Sequence, residues 1–573
     1  MRKMKRTIII YALGGLTLAL SSCHDLNLNP LSNGSTESWY SSESEIEMAV
    51  NDLYRIAFWP QDGEYQTDWS DDYTYRETLT SFENATLNGQ NGNVTNLWSI
   101  CYKSIARANS VILKYQRAID NGASAAKVNQ LVGEAHFFRG AAYARLAQRF
   151  GDVPLVEDEI DIETGLTMGR TAKTQIMQLV YDDFDAAAAV LPTSYSGSQR
   201  ITKGAALAFK ARAALYAGDW SIAATAAKAV MDLGVYSLES SYSKIFLQDT
   251  KSSKEFIYTI PRSLEYDGYY LDAGTVRNDL IRNAGGWAAT DPSWDLLAAY
   301  TCTDGLPIDE SPLFDPHNPF NNRDPRCSMT IIPFGTNFIG YEYNPSPAAA
   351  QIMNYSTGKM VKNNDSRVNA QYASFNGLAW RKGIDETWTQ NGFKVAPDMI
   401  IIRYAEVLMT YAEAKVELNE IDQSVLDALN TVRARAYGVN KSATDKYPAF
   451  TIQSQAKMRT QVHVERRMEF AKEHMRYSDI IRWKEAGTVM SKKAYGILYP
   501  ASACLEKVVK TGDWFWPVTP QIDENGLPDF SNLEATGKVQ VLSQRLWDDR
   551  QYLWPIPTTE IQINTNMVQN PGY

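Results

Sequence analysis

Apolar positions recur along much of this chain at intervals of three and four, the period of a helix with one buried face. In SEIEMAVNDLYRIAF (44–58), Ile46, Val50, Leu53 and Ala57 share a face. The same period runs through 93–119 and 126–150, and the second of these stops at Gly151-Asp152-Val153-Pro154. Residues 201–234 form the clearest pair. There Ala205, Ala208, Ala211 and Ala214 permit close approach, Leu207, Phe209, Leu215 and Tyr216 supply bulk, and Gly218-Asp219-Trp220 interrupts the period. Helical patterns return in MIIIRYAEVLMTYAEAKVELN (399–419), QSVLDALNTVRARAYG (423–438) and TQVHVERRMEFAKEHMRYSDIIRWKE (460–485).

Two helices joined by a short turn, with small residues at their contacts, resemble a tetratricopeptide hairpin. The units are irregularly spaced, so a plain repeat array is not expected. Segments 235–397 and 486–573 are rich in glycine, proline, asparagine and aromatic residues and predict only short helices or strands. The expected fold is mainly α: a tetratricopeptide-like helical-hairpin scaffold (44–234 and 398–485) with long irregular loops and minor β structure. The loop-rich segments 235–397 and 486–573 form the ligand side, because rigid scaffolds position functional loops. All of this belongs to one binding domain, 43–573.

The first 42 residues follow a different pattern. Arg2, Lys3, Lys5 and Arg6 precede an apolar run, Ile8–Leu20, which is too short to span a bilayer comfortably. Residues 1–22 read as a signal peptide. Leu20-Ser21-Ser22-Cys23 resembles the lipobox of bacterial lipoproteins, which makes Cys23 the acylated residue and 23–42 a lipidated N-terminus with a flexible, polar tether. Several acyl chains on one residue meet the need for more than one membrane signal. No later segment approaches 18 continuous apolar residues, so only the end of the chain is expected to be anchored.

Charge and motif content narrow the function classes. A net charge of −10 argues against a general nucleic-acid binder. No phosphate loop, dinucleotide fingerprint, HExxH or G-x-S-x-G elbow occurs, and five scattered histidines make a histidine zinc site improbable. Paired acids such as Asp182-Asp183 and Glu465/Glu469 have the residue types of a glycosidase, but Asp182-Asp183 is expected to face solvent. Glu465, Arg466, Arg467, Glu469 and Lys472 are expected to form ion pairs. No enzyme activity and no cofactor are expected. A structural calcium ion stays open, since oxygen ligands abound while SPLFDPHNPFNNRD (311–324) lacks EF-hand order. Cys302 and Cys327 are close enough in sequence to pair across a loop.

Tyrosine (32) and tryptophan (14) are plentiful, and three loops concentrate them. In FWPQDGEYQTDWSDDYTYRE (58–77) rings alternate with acids; Trp69, Asp71, Asp72 and Tyr75 are the candidate ligand contacts. An aromatic plate covers the C–H face of a sugar while carboxylates or amides bond its hydroxyl rim. Trp287 follows two glycines and is expected to project from a permissive turn, with Tyr300 near the same rim and Trp294 packed. Trp380, in FNGLAWRKG, is a further candidate.

Several blocks together resemble the SusD/RagB family of Bacteroidota surface lipoproteins. They are Trp98, Tyr102 and Arg107-Ala108-Asn109; Gly285-Gly286-Trp287 with Pro292-Ser293, Tyr300 and Asp304-Gly305; Arg403-Tyr404-Ala405-Glu406-Val407 with Tyr411-Ala412-Glu413-Ala414; and Glu465-Arg466-Arg467-x-Glu469-Phe470 with Arg476, Asp479 and Arg482-Trp483. The tail YLWPIPTTEIQINTNMVQNPGY completes the match, while Ala471-Lys472-Glu473-His474 departs from the usual AFEG-like segment. The resemblance implies a glycan-binding lipoprotein of the outer membrane, its body facing outward. It would pass oligosaccharide to a SusC-like, TonB-dependent transporter as a hinged lid. Peptide-binding members keep a RagB-like peptide uptake role open, and a carbohydrate-active enzyme is the remaining alternative. The motif residues chiefly identify scaffold.

Overall fold

The computed structural model describes residues 39–58, 69–197 and 199–573. Cys23, the signal peptide and the tether up to residue 38 lie outside the described residues, as does the stretch 59–68.

The first scaffold helices are α1 (Glu43–Leu53), α2 (Gly92–Lys114), α3 (Ala125–Phe150), α4 (Lys173–Val190), α5 (Lys203–Ala217) and α6 (Trp220–Asp232). From α2 to α6 each packs against its predecessor, as stacked hairpins do. Thr202 caps α5 by accepting from the Ala205 N–H at 3.2 Å, and Gly218 (φ +87°) turns the chain into α6. A Cβ on Gly133 would lie 2.4 Å from Val190, so this glycine lets α3 and α4 touch. Their approach corrects one expectation. Asp183 is buried and accepts two bonds from Arg139 at 2.8 Å, with His136 at 2.6 Å; only Asp182 faces solvent.

Downstream come the short helices α7 (Ala273–Asp279) and α8 (Trp294–Ala299), then α9 (Tyr404–Glu417), α10 (Gln423–Ala436), α11 (Gln455–Phe470) and α12 (Arg476–Arg482). Helix α9 continues the stack against α6. Two helical expectations are trimmed here. Met399–Arg403, with three consecutive isoleucines, is a strand paired antiparallel with Phe256–Ile260, so the helix begins only at Tyr404. Segment 460–485 breaks into α11 and α12 because Lys472 and His474 adopt positive φ.

Two hydrophobic cores result. One joins α1–α6, α9 and α10, and it includes Trp554, Ile556 and Met567 from the C-terminal tail. The tail therefore packs on the helical scaffold and not with the other loop-rich segments. The other lies within the loop-rich segments and holds Trp294, Tyr300, Tyr343, Trp380 and Trp516. Each such ring taken from water contributes roughly 1.5–3 kcal/mol, which is how segments with little regular structure hold a fixed shape. Helix α11 joins the two cores, giving Met458 and Val462 to the first and Met468 to the second. A four-stranded antiparallel meander (336–338, 341–343, 351–354, 359–362) is the largest sheet among the described residues.

The motif acids and arginines of α11 are interior. Arg326 pairs with Asp324 at 2.8 Å, Glu465 at 2.9 Å and Glu469 at 3.0 Å, and Arg403 bonds Glu255 and Glu469 at 2.7 Å. Burial alone would raise Glu469, but Arg435, Arg403 and Arg326 outweigh it and hold its carboxyl down at about 2. Cys302 and Cys327 are buried free thiols, so no bridge joins them.

Candidate functional site

A cleft of about 520 Å³ opens on the loop-rich side. Its position follows from how residues 69–78 are fastened. Trp69 stacks on Phe82 with ring centroids 4.0 Å apart and meets Tyr477 and Trp554 edge-on at 5.6 Å. Asp71 accepts from Arg476 Nε and Arg467 Nη2, each at 2.8 Å, and Asp72 accepts from Arg467 Nε at 2.8 Å. The Ser293 N–H, at the cap of α8, donates to the Asp72 carbonyl at 3.0 Å, and its hydroxyl donates to the Asp71 carbonyl. Tyr73–Thr74 then pairs antiparallel with Asp291–Pro292. This welded root delivers Tyr75 to the mouth of the cleft, 36% exposed.

Tyr73, Trp380, Trp388 and Phe246 provide apolar wall, and Thr78, Thr80, Asn278 and Thr290 provide hydroxyls and an amide. Lys382, Glu473, Lys472 and Asp279 in the lining are paired. Lys382 Nζ donates to Glu473 at 2.5 Å, to the Tyr242 hydroxyl at 2.7 Å and to the Ala471 carbonyl at 2.8 Å; Glu473 also receives Arg403 Nε at 2.7 Å. Burial pushes Lys382 down to about 8, with Glu473 opposing. Burial pushes His474 down to about 3, so its ring is neutral near pH 7. Lys472 bonds Asp279 at 2.7 Å and sits 5.2 Å from the Trp380 ring centre and 5.6 Å from that of Trp388. The segment that departs from the family motif thus lines this cleft. Among the described residues, no cluster of three His, Cys, Asp or Glu suited to a metal ion occurs.

The structure sorts the residues singled out from sequence. Tyr75 and Trp380 both line the cleft. Trp380 is only 1% exposed with Lys472 over its ring, so it offers wall rather than an open stacking face. Trp287 projects as expected, 41% exposed, but outside the cleft lining. Its turn requires glycine: a Cβ on Gly286 would fall 1.9 Å from the Leu280 carbonyl, and Gly285 has φ +93°. Four expectations are corrected as surface contacts. Trp69 is 3% exposed, with its faces taken by Phe82 and neighbours. Asp71 and Asp72 are buried against Arg467 and Arg476, and Tyr300 is sealed in the second core. For Asp71, burial raises the carboxyl and the two arginines more than reverse it, holding it well below the usual carboxylate range.

Sequence reasoning missed Trp388, Phe246, Asn278 and Thr290. Nothing local marks the polar pair, whereas Trp388 stands in a glycine- and asparagine-flanked turn (DETWTQNG) of the kind that exposed Trp287.

The profile described as "SusD family" matches residues 254–573, and one described as "Starch-binding associating with outer membrane" matches 29–215. A SusD-like carbohydrate binding protein from Bacteroides fragilis superimposes with a TM-score of 0.72 at 30% identity, covering 92% of this chain and 99% of that one. A SusD-like protein of Formosa agariphila is 25% identical over 605 residues, spanning 100% of both chains. Surface glycan-binding protein A from Bacteroides fluxus, at 19% identity, covers 93% of this chain and 100% of that one with a TM-score of 0.59, a likeness of fold.

Proposed function

This chain belongs to the SusD family, and from that premise we propose that it captures glycans at the cell surface and hands oligosaccharide to a SusC-like, TonB-dependent transporter in the outer membrane. The observation that carries the reading is Tyr75, a part-exposed ring lining a cleft that also holds aromatic side chains, hydroxyls and an amide. A pyranose has that division itself, with C–H faces and a hydroxyl edge. Its binding needs broad apolar contact and a few placed hydrogen bonds, not a poised nucleophile. The carbohydrate binding named for the Bacteroides fragilis relative supports the same reading.

Tyr75 and Trp287 are the proposed stacking residues, with Trp380 supporting the cleft wall. Cys23 is the proposed site of acylation, which tethers the binding body, 43–573, to the outer membrane with that body outward. Among the described residues no helix is long and apolar enough to cross a membrane, so an acyl anchor supplies the attachment in this reading. The chain breaks no bond; it retains ligand while the transporter moves it.

A combined glycan and peptide array, probed with the purified protein, tests the ligand class. Binding to polysaccharides is expected. Binding to peptides with none to any glycan would overturn the reading. Copurification of a β-barrel transporter from solubilised outer membranes is the matching test of the partner, and absence of any such barrel would count against it.

A further inference from the structure

The arginines of this protein differ in their partners. Many in the interior are matched to carboxylates, as Arg326 is to Asp324, Arg403 to Glu473, Arg467 to Asp71 and Arg482 to Glu413, while Arg323 donates to backbone carbonyls. Beside the cleft four half-buried arginines have no such match, and one of them, Arg277, is covered by the Phe393 ring at 4.1 Å. Among the described residues Arg76, Arg277, Arg282 and Arg367 form no ion pair, and the Nε of each is buried without a hydrogen-bond partner. Arg76 and Arg367 donate no side-chain hydrogen bond to any described residue; aromatic rings hold them instead. The Arg76 guanidinium lies 5.3 Å from the Tyr372 ring centre and 5.8 Å from that of Tyr75. Arg367 lies 4.0 Å from the ring centres of both Phe375 and Tyr499. Arg282 Nη1 donates only to backbone, to the Trp287 carbonyl at 2.9 Å and the Tyr372 carbonyl at 3.3 Å.

The contacts of Arg76 and Arg282 meet at Tyr372, in the same loop as Arg367, on a surface that shares Tyr75 with the cleft and exposes Tyr372 (53%) and Trp287. Among the described residues the nearby acids form no ion pair with its arginines. Asp365 is buried, with its two oxygens occupied by the backbone N–H groups of Arg282 (2.6 Å) and Asn283 (3.1 Å). Asp291 is buried and Glu77 exposed; each acts on an arginine through charge, Asp291 on Arg76 and Glu77 on Arg367, without pairing to it. A protein of net charge −10 thus leaves the Arg76, Arg282 and Arg367 guanidinium groups without an ion pair beside the exposed rings of Tyr75, Trp287 and Tyr372. A guanidinium held flat against a ring keeps its planar fork of donors for a carboxylate or sulfate.

We propose that Arg76, Arg282 and Arg367, set among Tyr75, Trp287 and Tyr372, form a site for an anionic glycan, whose carboxylate or sulfate groups the arginines bond while the rings cover its sugar faces. The proposal rests on the glycan-binding reading and narrows it to acidic polymers.

The test is calorimetric titration of the purified protein with polygalacturonate, fully methyl-esterified polygalacturonate, chondroitin sulfate, desulfated and carboxyl-reduced chondroitin, and polyglutamate. The acidic polysaccharides are expected to bind at least about tenfold more tightly than their neutralised counterparts, with affinity falling as salt rises. Binding of polygalacturonate alone identifies carboxylate as the anion, and binding of chondroitin sulfate without polygalacturonate identifies sulfate. The double variant Arg76→Gln/Arg367→Gln is expected to lose about tenfold for the acidic polymer and to flatten its salt dependence. Arg282→Lys, which keeps the charge, is expected to lose less than Arg282→Gln, with melting temperatures confirming that each variant folds. Equal affinity for neutral and acidic forms overturns the charge proposal and leaves glycan capture standing. Binding of polyglutamate without any polysaccharide, or of none of the probes when no glycan binds on the array either, overturns both.

Discussion

Arg467 and Asp71 are 396 residues apart in sequence, yet the Arg467 Nη2 donates to Asp71 Oδ2 at 2.8 Å inside the protein. With Arg476 on the other oxygen, this bond ties the loop that presents Tyr75 to α11 and α12. A carboxylate that reads from sequence as a ligand contact serves as the anchor of one.

Removing that anchor takes the close counter-charge from buried Arg476 and leaves Arg467 with Asp72 alone. Asp71→Ala is expected to destabilise the fold by about 3–5 kcal/mol, seen as a lower urea midpoint. Tyr75→Ala, at an exposed position, is expected to move the same midpoint by less than about 0.5 kcal/mol. An unchanged midpoint for Asp71→Ala would refute the anchoring role.

Trp69→Ala removes a ring packed on Phe82, Tyr477 and Trp554 and is expected to cost about 3–5 kcal/mol in the same urea titration. Trp69→Phe should recover part of that loss. A Trp69→Ala protein of native stability and reduced glycan affinity would restore the surface role that burial argues against.

Asp365 carries a pH signature. Burial raises its carboxyl from 3.8 to about 6, against the backbone N–H groups of Arg282 and Asn283. Between those values the folded protein keeps a proton that the unfolded chain has released. Stability from this group is therefore present at pH 4 and lost as pH rises to 6, by up to about 3 kcal/mol. Comparing denaturation of the native protein and Asp365→Asn across pH 4–6 should show this decline only in the former. Parallel profiles would exclude it.

Four cysteines, Cys101, Cys302, Cys327 and Cys504, are buried and free. Without reductant, alkylation of native protein should modify none of them, and alkylation after unfolding should modify all four. A product two hydrogens lighter that resists alkylation at Cys302 and Cys327 would reveal a bridge.

The helical scaffold was legible because its cues are local. The alanine spacing of 201–217, Gly218, and the stop at Gly151 each act within a few residues. Boundaries failed where tertiary pairing overrode the period. The isoleucines of 400–402 continue a helical pattern but pair with strand 256–260, and positive φ at Lys472 and His474 ends a helix whose apolar period continues. The site was only half legible. Gly285-Gly286 does expose Trp287, since turn chemistry is local. Whether Asp71 meets solvent or an arginine on α12 depends on residues about 400 positions away, and no spacing rule reaches that far. The aromatic enrichment of residues 58–77 marked the right loop but did not separate its buried root, Trp69, from its open tip, Tyr75.

The most direct measurement is calorimetry of the native protein and Tyr75→Ala against one oligosaccharide that binds on the array. Capture at the cleft mouth predicts at least about a tenfold loss of affinity with an unchanged melting temperature. Equal affinity in a folded Tyr75→Ala protein would contradict the assignment of the cleft as the glycan site.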